Sequence, residues 1–300
     1  MGITIQDIED LTGTTFSPPL PGDTIVSISH NIKKAKKEDV VFLPFNDHNS
    51  HIYSYLHKKK AFDVKAVISD SNSNSDSIKK FNKPMLIAEN AYLLYKQLAK
   101  LARSRYKGDL VMVIGSVGKT AMKIYINQLV SSELRCNILA DSKNQTRSIC
   151  QTVCDLNEQV DLCVIEAATA SPSSVEKRSD IIRPNIILAT EILEEHMKYH
   201  SDIESLIKTK LKSLDFIQGK RIFIHQFQED LSYTFTEAIN NADINKVYTY
   251  GWSSNCDAYI KSISLNPSGQ SVRSNIMGVD LNYEIPFIEK FAALQITATL

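Results

Sequence analysis

The run Gly115-Ser-Val-Gly118-Lys119-Thr120 combines residue types that suit an anion. Glycines let backbone N–H groups turn toward one centre, a helix N-terminus adds partial positive charge, and a lysine adds a full one. The run is the Gly-Lys-Thr end of a phosphate-binding loop, with Val113 standing where the usual pattern has its first glycine. In such a loop Gly115, Ser116, Gly118 and Lys119 hold the phosphates, and the Thr120 hydroxyl binds Mg²⁺. The bland alternative is a plain strand-to-helix turn.

Three further residues could work with this loop. Glu166 ends the apolar run "DLCVIEA", at the place where open α/β sheets bind their ligands. A carboxylate opposite a phosphate loop holds Mg²⁺ directly or through water, although a strand-ending glutamate can equally be solvated. His196 follows the third apolar strand in "NIILATEILEEHMKYH". His196 and His200 are four apart, but the glutamate of H-E-x-x-H is absent, so a zinc site is rejected and His200 reads as a surface side chain. Lys210, in "SLIKTKLKSLDF", borders the apolar stripe of Ile207, Leu211 and Leu214, whereas Lys208 and Lys212 point away from it. A lysine so placed can snorkel, sit beside an anion, or be chemically modified.

The elements that must position these residues are legible around them. Apolar strands are expected at 110–114, 162–165, 185–189 and 221–225, with helical patterns between, which implies right-handed crossovers and a mainly parallel sheet. The tail from "YTYGWSS" to "NYEIPF" reads as antiparallel strands, and "EKFAALQITATL" as the opening of a helix. Ahead of the loop, "ITIQDIEDLTG" has helical spacing and a glycine stop, while "TIVSIS", "DVVFLPF" and "VKAVISD" are short β-rich runs. "ENAYLLYKQLAKLARSRYKG" is an amphipathic helix. The fold class is therefore α/β: a small N-terminal α/β domain, then a P-loop domain with a mainly parallel sheet and an antiparallel region near the end. Domain bounds are placed at 1–84 and 109–300, with 85–108 as a linker helix. The basic run at 57–60 is read as a solvated helix end, and the polar stretch at 69–77 as a loop without chemistry.

Composition limits the function classes. Lysine plus arginine and aspartate plus glutamate number 34 each, so no whole-chain charge favours nucleic acid or an anionic membrane. No apolar run approaches the roughly 20 residues that span a bilayer. Five cysteines without a C-x-x-C pair argue against a disulfide framework and a zinc knuckle, and fit a reducing cytoplasm.

Taken in order, these segments resemble the Mur ligase family of ATP-dependent amide-forming enzymes, most closely its members that add D-alanyl-D-alanine. "VIGSVGKTAMK" resembles the family's nucleotide loop, "LCVIEAA" its Mg²⁺-binding glutamate strand, and "RPNIILATEILEEHM" the segment of its metal-binding histidine. "SDIESLIKTKLKSLDF" is similar to the helix whose lysine is carbamoylated, and "KNQTRSICQTV" to an asparagine-containing substrate loop, with Asn144 at the matching position. "SHNIKKAKKEDVVFLPF" resembles the family's uridine-nucleotide domain.

The resemblance implies ATP and Mg²⁺ as cofactors and a carboxylate-bearing small molecule as substrate. It assigns catalysis to Lys119, Lys210 and His196, metal binding to Thr120, Glu166, His196 and Lys210, and substrate contacts to Asn144, Asn31 and Lys33. Asn31-Ile32-Lys33 replaces the family's Asp-Ser-Arg, removing a carboxylate and a guanidinium fork. Glu191 replaces an asparagine, and the Gly-x-His-Asn stretch of the adenine side is not evident. The family's C-terminal ligase domain is expected to be absent, either because the sequence is a fragment of a longer protein or because the chain has lost that half. A missing C-terminal domain or a partner chain is the expected complement. Two other readings stand beside the ligase: an inactive nucleotide-binding scaffold of the same fold, and a P-loop kinase or ATPase.

Overall fold

The computed structural model describes residues 2–31, 34–43, 63–70, 83–138, 145–168, 171–195 and 197–300. Lys33, Asn144 and His196 lie outside the described residues, as do the basic run at 57–60 and most of the polar stretch at 69–77. The chain divides into two compact units, one of residues 1–106 with 150–158, the other of residues 107–149 with 159–300.

In the first unit, strands β1 (Ile3–Thr4), β2 (Ile25–Ser29), β3 (Asp39–Phe42), β4 (Ala66–Asp70) and β5 (Met85–Ala88) form one sheet in that order. Only the β1–β2 pair is antiparallel. Met85–Ala88 is thus a strand and not the start of the expected linker helix. Helix α1 (Ile5–Thr12) begins with a capping box in which Thr4 and Asp7 satisfy each other's backbone N–H, and ends on Gly13 in the left-handed conformation. Helix α2 (Ala91–Arg105) is capped by the Asn90 side chain, which accepts from the Leu93 N–H. It buries Leu94, Tyr95, Leu98 and Ala102, the three-to-four spacing that its sequence showed.

The second unit carries the nine-stranded sheet, in the order β14-β13-β12-β11-β10-β9-β6-β8-β7. Its parallel members are β6 (Asp109–Ile114), β7 (Cys136–Ile138), β8 (Leu162–Glu166), β9 (Ile186–Ala189), β10 (Ile222–Gln226) and β11 (Lys246–Gly251). Strands β12 (Ala258–Asn266), β13 (Gly269–Ile276) and β14 (Val279–Ile285) extend it antiparallel to one another. β11, which the tail's pattern placed among the antiparallel strands, runs parallel to both β10 and β12. Periodicity reports burial, not direction, and so could not distinguish the two.

Helix α3 (Lys119–Val130) follows β6, α4 (Thr146–Cys154) runs from the second unit into the first, and the second unit's remaining helices among the described residues are α5 (Pro172–Ile182), α6 (Ile203–Leu211), α7 (Ser232–Asn241) and α8 (Lys290–Thr299). Val113, Val164 and Leu188 from the central strands pack with Met122 of α3 and Leu294 of α8 in one apolar core. Each such side chain removed from water stabilises by about 1.5–3 kcal/mol, enough together to fix the strand ends that carry the polar residues described next. All five cysteines are free thiols; four are buried, and burial pushes the Cys150 thiol up to about 12, so it is inert as a nucleophile. Among the described residues no helix is long and apolar enough to cross a membrane.

Candidate functional site

The glycine loop lies between β6 and α3, and both glycines are needed for steric reasons. Gly115 has φ +131°, and a Cβ there would stand 2.1 Å from Thr190 Oγ1 and 3.0 Å from the Thr190 carbonyl oxygen. Gly118 has φ +80°, and a Cβ there would stand 1.7 Å from Gln295 Nε2. The reason is close packing on two sides: Thr190 follows β9, and Gln295 of α8 donates to the Gly118 carbonyl at 3.1 Å. Gly118 is also the N-cap of α3 and provides no side-chain acceptor, so the helix's first N–H groups have no capping side chain, an arrangement suited to an anion.

A strap made of residues 190–195 holds the loop from the β9 side. The Glu191 carbonyl accepts from the N–H groups of Ser116 at 2.9 Å and Val117 at 3.4 Å. Ser116 Oγ both donates to the Leu193 carbonyl at 2.8 Å and accepts from the Leu193 N–H at 3.0 Å. Thr190 Oγ1 donates to the Val117 carbonyl at 2.6 Å. The strap is itself anchored by Gln228, whose side-chain amide pairs with both backbone groups of Ile192 at 3.0 and 3.1 Å. Glu191, noted as replacing an asparagine, thus serves the loop through its backbone carbonyl.

The charged groups converge on this frame. Lys119 Nζ donates to the carbonyls of Gly115 at 2.7 Å and Ser116 at 2.9 Å. Burial holds its ammonium below the ordinary lysine range, against the opposing pull of Glu195 and Glu166. Thr120 Oγ1 donates to Glu166 Oε2 at 2.7 Å, which joins the loop to the C-terminal end of β8. Glu166 is 1% exposed, so it is not the solvated strand end that its sequence position also allowed. Lys123, one helical turn after Lys119, is 2% exposed with its Nζ 3.7 Å from the same carboxylate.

Lys210 is 1% exposed and donates to Glu195 Oε1 at 2.7 Å and to the Gly115 carbonyl at 3.2 Å. Burial lowers its pKa, and the Glu195 hydrogen bond works against that shift. Its neighbours Lys208 and Lys212 are exposed and pair with Glu237 and Glu176. The border position on the wheel is therefore a fully inward one, on the face of α6 that also buries Leu206, Ile207 and Leu211. His200 is buried, not a surface residue: it closes a 3-10 turn over Met197–Tyr199.

The structure thus brings together Gly115, Ser116, Gly118, Lys119, Thr120, Glu166 and Lys210. Asn31 belongs to the first unit, where its N–H donates to Ser29 Oγ at 3.2 Å. Sequence reasoning missed Lys123, Glu195, Gln228 and Gln295. Only Lys123 had a usable signal, a second lysine four positions after the loop lysine and therefore on the same helix face. The donor set of a threonine hydroxyl and a buried carboxylate at a strand's C-terminal end fits a hard divalent cation such as Mg²⁺.

Comparison with known proteins agrees with this fold. The Bacillus subtilis UDP-N-acetylmuramoyl-tripeptide–D-alanyl-D-alanine ligase is 20% identical over 298 residues, covering 99% of this chain and 62% of its own length. The crystal structure of MurF from Acinetobacter baumannii superposes with a TM-score of 0.82 at 15% identity, over 100% of this chain and 64% of that one. A Mycobacterium tuberculosis folylpolyglutamate synthase complexed with ADP has a TM-score of 0.57 at 12% identity, over 68% of this chain and 55% of that one. This chain therefore spans less than two thirds of the length of these relatives. A family model for the Mur ligase middle domain matches residues 113–300, more than half of the sequence, and this chain belongs to the Mur ligase family.

Proposed function

We propose that the chain binds ATP with Mg²⁺ and serves an ATP-dependent carboxylate–amine ligase that works through an acyl phosphate. The observation that carries this reading is the Thr120–Glu166 hydrogen bond of 2.7 Å beside an uncapped helix N-terminus and Lys119. It places a cation's oxygen donors next to an anion's N–H donors, the pairing that a nucleotide triphosphate requires. In the reaction a substrate carboxylate oxygen bonds to the γ-phosphorus as the bond to the β-phosphate oxygen breaks and ADP leaves. An amine then attacks the acyl carbon, phosphate departs, and the amine loses a proton.

This chain's residues would contribute to the first step. Lys119 would turn from the loop carbonyls to the terminal phosphates and follow the charge that develops there. The uncapped N–H groups at the start of α3 would hold the phosphate oxygens, and the strap would keep the loop from moving with them. Thr120 and Glu166 would hold Mg²⁺, which neutralises phosphate charge when bound. His196 and Lys210 are proposed to serve a second cation.

The reading extends to residues 1–84 as a nucleotide-sugar-type substrate domain, with Asn31, Lys33 and Asn144 at substrate, and to 109–300 as the ATP-binding domain. A carboxylate-bearing small molecule is the proposed substrate, and the amine side is assigned to a further domain or partner chain. MurF from Thermotoga maritima, which has been solved in complex with ADP, supports the nucleotide assignment by its shared fold, at a TM-score of 0.72.

Titration calorimetry of ATP with Mg²⁺ tests it. Lys119→Ala should weaken binding by roughly ten- to a hundredfold, since hydrogen bonds to charged groups are worth about 1.5–3 kcal/mol. Equal affinities of wild type and variant would remove the phosphate-loop assignment.

A further inference from the structure

Glu166 has two carboxylate oxygens, and among the described residues the fold engages one of them. Oε2 accepts from the Thr120 hydroxyl at 2.7 Å and faces Lys123 Nζ at 3.7 Å. Oε1 accepts no hydrogen bond among the described residues. We propose that Lys123 is the resident cation of this carboxylate: it holds Oε2, leaves Oε1 to a metal ion, and by its charge makes Glu166 a poor site for a metal that arrives without phosphate. The carboxylate then takes up Mg²⁺ together with a nucleotide's phosphates and not before them. This rests on the nucleotide reading of the same site for what brings the phosphates.

Three observations lead there. First, α3 itself puts Lys123 in place. It lies four residues after Lys119 and three after Thr120, so the phosphate lysine, the metal hydroxyl and the resident ammonium share one helix face. Second, the charges are poorly screened and do not favour a free cation. The side chains of Lys123 and Glu166 are only 3% and 2% exposed. Of the charged groups placed at the loop, Lys119, Lys123 and Lys210 are ammonium groups, against the carboxylates of Glu166 and Glu195. A divalent ion arriving alone meets net repulsion, and a polyphosphate reverses that balance. Third, stability alone is a weak reason for a buried ion pair, since apolar residues of similar volume often serve as well. Here the lysine stands against the one carboxylate that also bonds the Thr120 hydroxyl.

The test uses the full chain without nucleotide and Mn²⁺ as the probe. Mn²⁺ takes oxygen ligands as Mg²⁺ does, and its free concentration is read by electron paramagnetic resonance. Wild type should bind it weakly. Lys123→Met should bind it roughly tenfold more tightly or better, because a neighbouring positive charge has been removed from a poorly screened site. Lys123→Arg, which keeps the charge, should bind as weakly as wild type. The gain should vanish in Lys123→Met/Glu166→Gln, which has also lost the carboxylate. Lys123→Gln repeats the comparison should the methionine variant fold poorly. Added ATP should tighten Mn²⁺ binding by wild type far more than by Lys123→Met.

Equal Mn²⁺ affinities of wild type, Lys123→Met and Lys123→Gln overturn the proposal, because the lysine then serves the fold alone. A gain in Lys123→Arg as large as that in Lys123→Met overturns it too, and so does a gain that persists without the Glu166 carboxylate; in neither case would charge beside Glu166 be the cause. Failure of wild type to bind ATP in calorimetry would count against the nucleotide reading, while the titrations without nucleotide still decide whether Lys123 is the resident cation.

Discussion

Lys123 of α3 and Glu166 of β8 form an ion pair across the helix–sheet interface, with 3.7 Å between Nζ and Oε2 and side chains only 3% and 2% exposed. Two charges taken this far out of water stabilise the fold only as a pair, and removing one strands the other. The pair also sets the context of the proposed cation site. Glu166 accepts from Thr120 and faces Lys123 before any cation arrives, so its charge is balanced in the free protein.

Lys123→Met should therefore destabilise the chain by about 3–5 kcal/mol, the range for breaking a buried pair. Glu166→Gln should cost a similar amount, and the double variant should recover much of the loss. Urea unfolding of the four proteins reads the coupling directly. Additivity within about 0.5 kcal/mol would mean that the two charges do not depend on each other.

The glycine loop gives a second expectation. At Gly115 an added Cβ meets backbone atoms of Thr190, the carbonyl oxygen at 3.0 Å and the carbonyl carbon at 3.1 Å, which cannot swing away. At Gly118 the obstructing atoms belong to the side chains of Gln295 and Phe291. Both backbones are left-handed, a strain of roughly 1–3 kcal/mol for any other residue. Gly115→Ala should accordingly be the more destabilising, and Gln295→Ala should relieve part of the Gly118→Ala loss while leaving Gly115→Ala unchanged. Thermal unfolding of the single and paired variants would show it; an equal loss at both glycines would contradict the packing argument.

Much of this arrangement was visible in the sequence because it rests on local pattern. The β6 run, the Gly-Lys-Thr turn and the α3 periodicity adjoin one another, and Glu166 ends an unbroken apolar strand. Met85–Ala88 escaped because four residues behind a proline carry too little alternation to separate a strand from a helix approach. The strap escaped for a deeper reason. Its hydrogen bonds run largely through the backbone of residues 191–193, which any side chains could provide, so no residue type marks them. Glu195 and Gln228 make contacts with residues 15 and 36 positions away, which spacing rules on a single element do not reach.

In the first unit, Arg105 grips Asp7 with two hydrogen bonds of 2.6 and 2.7 Å, tying the end of α2 to the capping box of α1. The guanidinium holds the Asp7 carboxyl below its ordinary value of 3.8, against the raising effect of burial and with help from Thr4. A depressed folded pKa gives stability that is fully present above the unfolded value and is lost as pH falls through the folded one. Asp7→Asn should thus cost roughly 1.5–3 kcal/mol at neutral pH, toward the low end because Arg105 is 29% exposed. The gap between wild type and variant should narrow below about pH 4. Paired denaturation curves from pH 7 to pH 2 check the sign; a gap that widened on acidification would reverse the assignment.

The last expectation concerns Gln228, whose side-chain hydrogen bonds among the described residues go to the strap at Ile192. Its side-chain amide accepts from the Ile192 N–H at 3.0 Å and donates to the Ile192 carbonyl at 3.1 Å, copying the pairing of an extra strand residue. Ile192 is 1% exposed, so losing both partners leaves two backbone groups with little access to water. Unmade buried hydrogen bonds cost about 1–3 kcal/mol per group. Gln228→Ala should therefore loosen the strap locally more than it destabilises the chain as a whole, because β9 and β10 remain paired by their own ladder. Amide hydrogen exchange separates these effects. Exchange should quicken at Ile192 and at Leu193, Ser116 and Val117, whose N–H groups depend on the strap, while Leu188 within β9 keeps its protection. If the strap is what steadies the phosphate loop, the same variant should bind ATP with Mg²⁺ more weakly, since Gln228 is bonded to the strap at Ile192. Unchanged exchange at Ser116 and Val117 would show that the loop holds its shape without the strap.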